Sequence, residues 1–187
     1  MITINAGQST SFPRIADAIE AAKAYAPMPV TIHIAPGRYH EKLTVSQPHV
    51  TLIGDDASNT ILTYDDYARE IMPDGIKRGT FRTYTLFLDA PDITLCNLTV
   101  ENAAGAGKEV GQAIALYAEG EGIRVENCRL IGSQDTLFTG PLPEKEKEPG
   151  GFRGPKEFAP RINGRQYYKN TYIRWCRFYF WKRHCLL

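Results

Sequence analysis

Residues 11–26 place Ile15, Ala18, Ile19, Ala22 and Ala26 at helical spacing, the one stretch whose apolar positions gather on a single helical face. From Val30 onward the period changes. Short β-prone runs follow one another: Thr31-Ile-His-Ile, Leu43-Thr-Val, Val50-Thr-Leu-Ile, Thr60-Ile-Leu-Thr, Thr85-Leu-Phe-Leu, Ile93-Thr-Leu and Ile114-Ala-Leu-Tyr. Gly, Pro, Asn or Asp bounds most of them, and most of the intervening spaces are too short for a helix. The pattern predicts one short N-terminal helix and then a succession of short strands.

The later runs form a loose repeat. Asp92-Ile-Thr-Leu-Cys-Asn-Leu-Thr-Val, Gly122-Ile-Arg-Val-Glu-Asn-Cys-Arg-Leu and Gln166-Tyr-Tyr-Lys-Asn-Thr-Tyr-Ile each carry an Asn at nearly the same place. Asn97, Asn127 and Asn170 follow one strand and precede another, where a stacked coil needs a residue that tolerates the left-handed conformation and bonds locally. Repeated strands without helical crossovers indicate an all-β solenoid, a right-handed parallel β-helix. An antiparallel sandwich is the alternative architecture. Residues 140–164, with Pro-Leu-Pro-Glu-Lys-Glu-Lys-Glu-Pro-Gly-Gly near their start, read as an exposed loop between coils.

Composition narrows the function. The 187 residues, 43% hydrophobic and 23% charged, suit a single core, and 16 glycines and 12 prolines spread along the chain suit many short segments. The last fourteen residues hold Arg174, Arg177, Lys182 and Arg183 and no acid, so the formal charge of +1 conceals a mildly acidic body. Such a body lacks the basic stripe that nucleic acid requires. No window approaches the roughly 18 apolar residues of a membrane span, and the N-terminus as written lacks a secretory signal. The expectation is a cytoplasmic monomer, or a secreted one if the N-terminus is truncated. Cys96, Cys128, Cys176 and Cys185 form no C-x-x-C pair, and His33, His40, His49 and His184 share no metal-ligand spacing, so neither a metal nor another cofactor is implied. Cys96 and Cys128, beside the repeated Asn, are expected to stack inside the solenoid.

Three clusters could carry chemistry: Gly37-Arg-Tyr-His-Glu41, Gln112-Ala-Ile-Ala-Leu116 and Gln134-Asp-Thr-Leu137. Stacked coils can bring Gln112 and Gln134 to one face with Asp135 between them, two amide donors flanking an acid/base. The same residues also suit structural duties, Asp135 as an Asx-turn cap after Ser133 and the glutamines as a coil-to-coil amide ladder. Ser133 has no base at readable spacing and no G-x-S-x-G elbow surrounds it, which argues against a serine esterase.

In order and composition these clusters resemble the pectin methylesterase family, whose motifs read Gly-x-Tyr-x-Glu, Gln-Ala-x-Ala-Leu and Gln-Asp-Thr-Leu. The opening helix, the Gly54-Asp55 turn and Gly164-Arg-Gln-Tyr-Tyr-Lys-Asn170 extend the likeness over about residues 4–173. The resemblance implies a pectin lyase-like β-helix and cofactor-free hydrolysis of methyl esters of homogalacturonan, with pectin or methylated oligogalacturonides as partner. It implies Asp135 as general acid/base, Gln112 and Gln134 as oxyanion donors, and Tyr117 and Thr136 as substrate contacts. Tyr39 and Glu41 are expected to fix the corner of an early coil.

The family's aspartate nucleophile, in an Asp-Phe-Ile-Phe-Gly motif, and its Leu-Gly-Arg-Pro-Trp motif do not occur in these residues. In their place stands Arg174-Trp-Cys-Arg-Phe-Tyr-Phe-Trp-Lys-Arg-His-Cys-Leu-Leu187. Permitted synonymous codons for this tail, read from the second base, spell Asp-Gly-Val-Asp-Phe-Ile-Phe-Gly-Ser-Ala-Thr-Ala. The expectation is therefore a β-helix over 1–173, incomplete at its C-terminal end, followed by a frameshifted tail over 174–187, with little turnover of its own. The alternative function is a non-catalytic pectin-binding fragment that uses surface aromatics such as Tyr84 and Tyr117. For a lyase or a glycosidase, the adjacent acids Asp55-Asp56 and Asp65-Asp66 lie far in sequence from the glutamines.

Overall fold

The structure is a computed structural model that describes residues 2–140, 165–174 and the strand Cys185–Leu186. From the second circuit to the fifth, the chain lays one strand in each of three sheets. The first circuit opens with β1 (Ile2–Ala6) and helix α1 (Ile15–Ala22). The second has β2 (Val30–Ile34), β3 (Gly37–His40) and β4 (Leu43–Val45), and the third β5 (Val50–Gly54), β6 (Thr60–Tyr64) and β7 (Leu86–Leu88). The fourth has β8 (Thr94–Cys96), β9 (Thr99–Asn102) and β10 (Leu116–Ala118), and the fifth β11 (Ile123–Glu126), β12 (Arg129–Ile131) and β13 (Leu137–Phe138). Strands β14 (Gln166–Lys169), β15 (Tyr172–Ile173) and β16 (Cys185–Leu186) complete the series.

Sheet A orders β1-β2-β5-β8-β11-β14-β16, sheet B orders β3-β6-β9-β12-β15, and sheet C orders β4-β7-β10-β13. Every pairing between these strands is parallel, so the fold is a right-handed parallel β-helix and not a sandwich. Residues 141–164, read as an exposed loop, and most of the tail lie outside the described residues.

Alternation explains why these short strands hold together. Inward positions stack in register as one aliphatic column per sheet: Ile4, Ile32, Leu52, Leu95, Val125 and Tyr168 on sheet A. Sheet B contributes Tyr39, Leu62, Val100, Leu130 and Ile173, and sheet C contributes Leu43, Leu86, Leu116 and Leu137. All but Ile173 of these are buried, most of them fully. At roughly 1.5–3 kcal/mol per buried large apolar side chain, these columns dominate the favourable side of folding. Cys128 joins this core, and burial pushes its thiol up to about 12. Cys96 does not. As the last residue of β8 it points outward and is only half-buried, because the strand's alternation assigns the interior to Leu95.

The corner between sheets A and B takes two residues in most circuits, and the first of them is left-handed in the later ones. Asn97, Asn127 and Asn170 have φ of 54°, 52° and 48°. Their carboxamides form a ladder, Asn170 Nδ2 donating to Asn127 Oδ1 at 3.2 Å and Asn127 Nδ2 to Asn97 Oδ1 at 3.3 Å.

Helix α1 is shorter than its apolar spacing predicts. Pro13 disfavours a helical residue before it and Arg14 is extended, while Lys23–Tyr25 tighten into a 3₁₀ turn before Pro27. Its buried face, Ile15, Ala18, Ile19 and Ala22, packs against β1, β2 and β4. The helix has no local side-chain cap, and Glu41 supplies one from 26 residues away: its two carboxylate oxygens accept the Ile15 and Ala16 N–H groups at 2.9 Å each. A carboxylate at a helix N-terminus also opposes the helix dipole favourably. Tyr39 is buried and its hydroxyl donates to Ala35 O at 2.7 Å. Tyr39 and Glu41 are thus structural, although Gly37–His40 is a strand where a corner is expected.

The Asn ladder generates a test. Asn127→Ala is expected to lose about 1–2 kcal/mol, through the left-handed backbone and two amide bonds, whereas Asn127→Gly, free of the backbone penalty, loses less. Urea unfolding midpoints measure the difference, and equal losses would assign the effect to the amides alone.

Candidate active site

The sheet B to sheet C corner is where the circuits diverge. In the fourth circuit the chain leaves β9, forms the short helix α2 (Gly107–Val110) and returns through Gln112 to β10. In the fifth, residues 132–136 alone link β12 to β13 and carry Gln134 and Asp135. These two segments stack. Ala113 N–H donates to Gln134 O at 3.0 Å, and Ala115 and Leu116 N–H both reach Thr136 O, at 2.9 and 3.1 Å. Gln112 therefore stands one coil from Gln134 and Asp135, at the entrance to sheet C.

Small residues allow the close approach. A Cβ on Gly107 would sit 2.9 Å from the Gln134 side chain, and Gly107 N–H donates to Ser133 Oγ at 2.8 Å. Gln112 and Gln134 are half-buried, whereas Asp135 is 4% exposed with a left-handed φ of 57°.

Tyr117 and Thr136, the two residues expected to contact substrate, are both buried. Tyr117 is fully buried. It faces outward from sheet C, but in register with Phe87 and Phe138, so the three rings cover one another: Phe87 and Tyr117 lie 4.5 Å apart, and Tyr117 and Phe138 4.8 Å apart edge to face. Ile114 shares this second apolar cluster, and Phe81 and Tyr84 pack against it. Tyr84, half-buried, keeps an accessible edge. Thr136 is also fully buried, and its hydroxyl donates to Arg174 O at 2.7 Å, so it ties coils together.

The loop of residues 65–85 grips Gln112 from the other side. Ala68 N–H donates to Gln112 O at 2.9 Å, and Arg69 N–H to Val110 O at 3.2 Å. The Arg69 guanidinium reaches Lys108 O and Glu109 O at 2.7 and 3.0 Å, satisfying carbonyls of α2. An ion cluster invisible to sequence spacing anchors this loop. Asp66, nearly buried, pairs with Lys42 and with Arg78 at 3.0 Å, and Arg78 Nε donates to Glu70 at 2.7 Å. Burial lowers the Lys42 ammonium despite the Asp66 carboxylate, and the hydrogen bond from Arg78 holds Glu70 below the usual carboxylate range.

The adjacent acids serve the scaffold. Asp55 pairs with His33 at 2.7 Å and Asp65 with His40 at 3.1 Å, each from the following coil, and Asp56 accepts from Ser58 and Asn59. His49 meets Asp92 at 3.6 Å, and His184 lies outside the described residues.

A parallel β-helix with two half-buried glutamines and a buried aspartate on neighbouring coils at one corner defines a β-helical protein with a candidate polar site on its flank. The pectinesterase family model matches residues 1–142, which include Gln112, Gln134 and Asp135, and the chain belongs to that family. An Arabidopsis thaliana protein described as probable pectinesterase/pectinesterase inhibitor 23 is 38% identical over 130 residues, 68% of this chain and 22% of its own length. Pectin methylesterase PemA from Erwinia chrysanthemi shares the fold with a TM-score of 0.72 at 25% identity, covering 92% of this chain and 49% of its own. A pectin methylesterase in complex with hexasaccharide VII matches with a TM-score of 0.73 at 25% identity over the same shares. The chain thus spans about half or less of the length of these relatives.

Removing the Asp66 carboxylate is expected to cost about 3 kcal/mol, because Asp66→Ala leaves two partly buried cations without their counter-ion. Denaturant unfolding checks it. The Glu70 contribution has a definite sign: its depressed folded value means the stabilisation is present above the ordinary carboxylate range, near 4.5, and is lost as pH falls through the depressed value. Glu70→Gln should remove that part of the acid dependence, read from unfolding midpoints between about pH 3 and 6.

Proposed function

We propose that the corner above sheet C takes methyl-esterified homogalacturonan and supplies the oxyanion and acid/base half of methyl-ester hydrolysis. The stacking of Gln112 on the Gln134–Asp135 segment carries this reading. Two amide donors one coil apart suit an ester carbonyl whose oxygen gains charge as a tetrahedral intermediate forms. Asp135 beside them places a buried carboxyl at the same corner, the kind of group that can pass a proton to departing methanol. The half-buried edge of Tyr84 offers an apolar surface to sugar rings.

The hexasaccharide bound to one structural relative supports a polysaccharide as ligand. Family membership supports ester hydrolysis as the reaction. The aspartate nucleophile has no counterpart in these 187 residues, so the chain by itself is proposed to bind its substrate and to release little methanol.

Calorimetry with a methylated hexagalacturonide is expected to show binding that Gln112→Ala and Gln134→Ala each weaken about fivefold, the scale of one hydrogen bond. Methanol release from methylated pectin should stay far below that of a full-length relative. Absence of binding by the parent chain would overturn the reading, and methanol release near the rate of the relative would overturn its claim about the nucleophile.

A further inference from the structure

Asn102 ends β9 at the point where the chain leaves the regular coil, and it is 5% exposed. Its Nδ2 lies within hydrogen-bond distance of three carbonyls, two at opposite ends of the loop of residues 65–85 and one just before β10: Asp66 O at 3.0 Å, Thr83 O at 2.9 Å and Ile114 O at 3.2 Å. Its Oδ1 accepts the Ala104 N–H at 3.0 Å. Thr83 is fully buried, its hydroxyl donating to Thr80 O at 2.7 Å and accepting from Ile114 N–H at 3.0 Å. Ile114, two residues past Gln112, is thereby held at both its N–H and its C=O. Ala68, two residues past Asp66, donates to Gln112 O. One carboxamide thus fixes both chain segments that grip Gln112.

We infer that Asn102 and Thr83 are positioning residues that set the place of the Gln112 side chain in the candidate site. The inference rests on the proposed role of Gln112. At this corner the regular strand ladder is interrupted; Thr85 N–H also reaches Ile114 O at 3.1 Å, and the Asn102 and Thr83 side chains add to the backbone bonds that remain. Only a carboxamide can donate toward three carbonyls and accept an N–H from the same place. An aspartate there would turn a charged acceptor toward three carbonyl oxygens, and an aliphatic residue would leave them without this donor. An amide meant to meet a developing oxyanion has little tolerance for drift, since misplacement by about 1 Å can cost on the order of 100-fold in rate.

The test uses Asn102→Asp, Thr83→Val and Thr83→Ser in the 187-residue chain, with hydrogen exchange read by mass spectrometry and calorimetry with a methylated hexagalacturonide. Asn102→Asp and Thr83→Val should speed exchange at residues 112–116 and 66–70 by about tenfold while the strands of sheet A keep their protection. Each should weaken binding by about as much as Gln112→Ala, and Asn102→Asp should add little to Gln112→Ala in the double variant, the mark of action through one residue. Thr83→Ser, which keeps the hydroxyl, should match the parent chain. Unchanged exchange at residues 112–116 would overturn the inference, as would a binding loss fully additive with that of Gln112→Ala. A parent chain that binds no oligosaccharide would remove the proposed function, and the exchange result alone would then decide whether Asn102 and Thr83 hold the segment.

Discussion

Parallel hydrogen bonding from one coil to the next is the constraint on which the rest of this molecule depends. A single coil buries too little and pairs too few backbone groups to stand alone, so each strand completes the one before it. Register then decides everything else, because a shift of one residue would turn the interior column outward. With Ile4, Ile32, Leu52, Leu95 and Val125 in line, outward positions are aligned as strictly as inward ones. That is how residues 22 apart in sequence, Gln112 and Gln134, come to share a corner.

Two of the three corners divide the labour. Between sheets A and B the turn is tight in most circuits, and in the later ones it is locked by the stacked left-handed asparagines, which leaves no room for insertion. Between sheets B and C the chain runs through residues 65–85 in one circuit, 103–115 in the next and 132–136 in the one after. Variable loops on a fixed stack can build a polar site without disturbing the core. Their backbone groups still need partners, and Asn102, Thr83, Arg69 and the Asp66 cluster provide them.

Much of this was legible in the sequence because solenoid strands announce themselves locally. Alternation in Val50-Thr-Leu-Ile, and an Asn returning at one place in each repeat, follow from the geometry of the same coil. Long-range partners left no such trace. Nothing near Ile15 indicates that Glu41 caps its helix, and Asp66 reads as half of an acid pair until the fold brings Lys42 and Arg78 to it. Tyr117, expected as a surface aromatic, is buried for a related reason. An outward position on a strand is normally exposed, but here its in-register neighbours are Phe87 and Phe138, and aromatic rings stacked at coil spacing bury one another. The glutamines and Asp135 lie in motifs visible in the sequence, whereas Asn102 and Thr83 belong to no such motif, and their bonds to the Gln112 segment appear only once the loops meet.

The backbone at Asp135 separates the site from the scaffold. Six non-glycine residues among those described are left-handed, and five of them belong to columns. Asn97, Asn127 and Asn170 form one, and His49 stacks on Asp92, itself followed by the left-handed Gly122, in another. In a column the conformation is repeated because each coil copies the turn beneath it. Asp135 has no such precedent: Ile114, the residue stacked on it from the coil before, is not left-handed. A left-handed conformation costs most residues about 1–2 kcal/mol, whereas aspartate and asparagine adopt it readily because their short side chains bond locally. An unrepeated left-handed aspartate between β12 and β13 fixes the direction of one buried carboxyl at a corner whose loops differ from coil to coil. The unrepeated backbone, the burial and the stacking of the Gln112 segment on the Gln134–Asp135 segment all fall at this one corner.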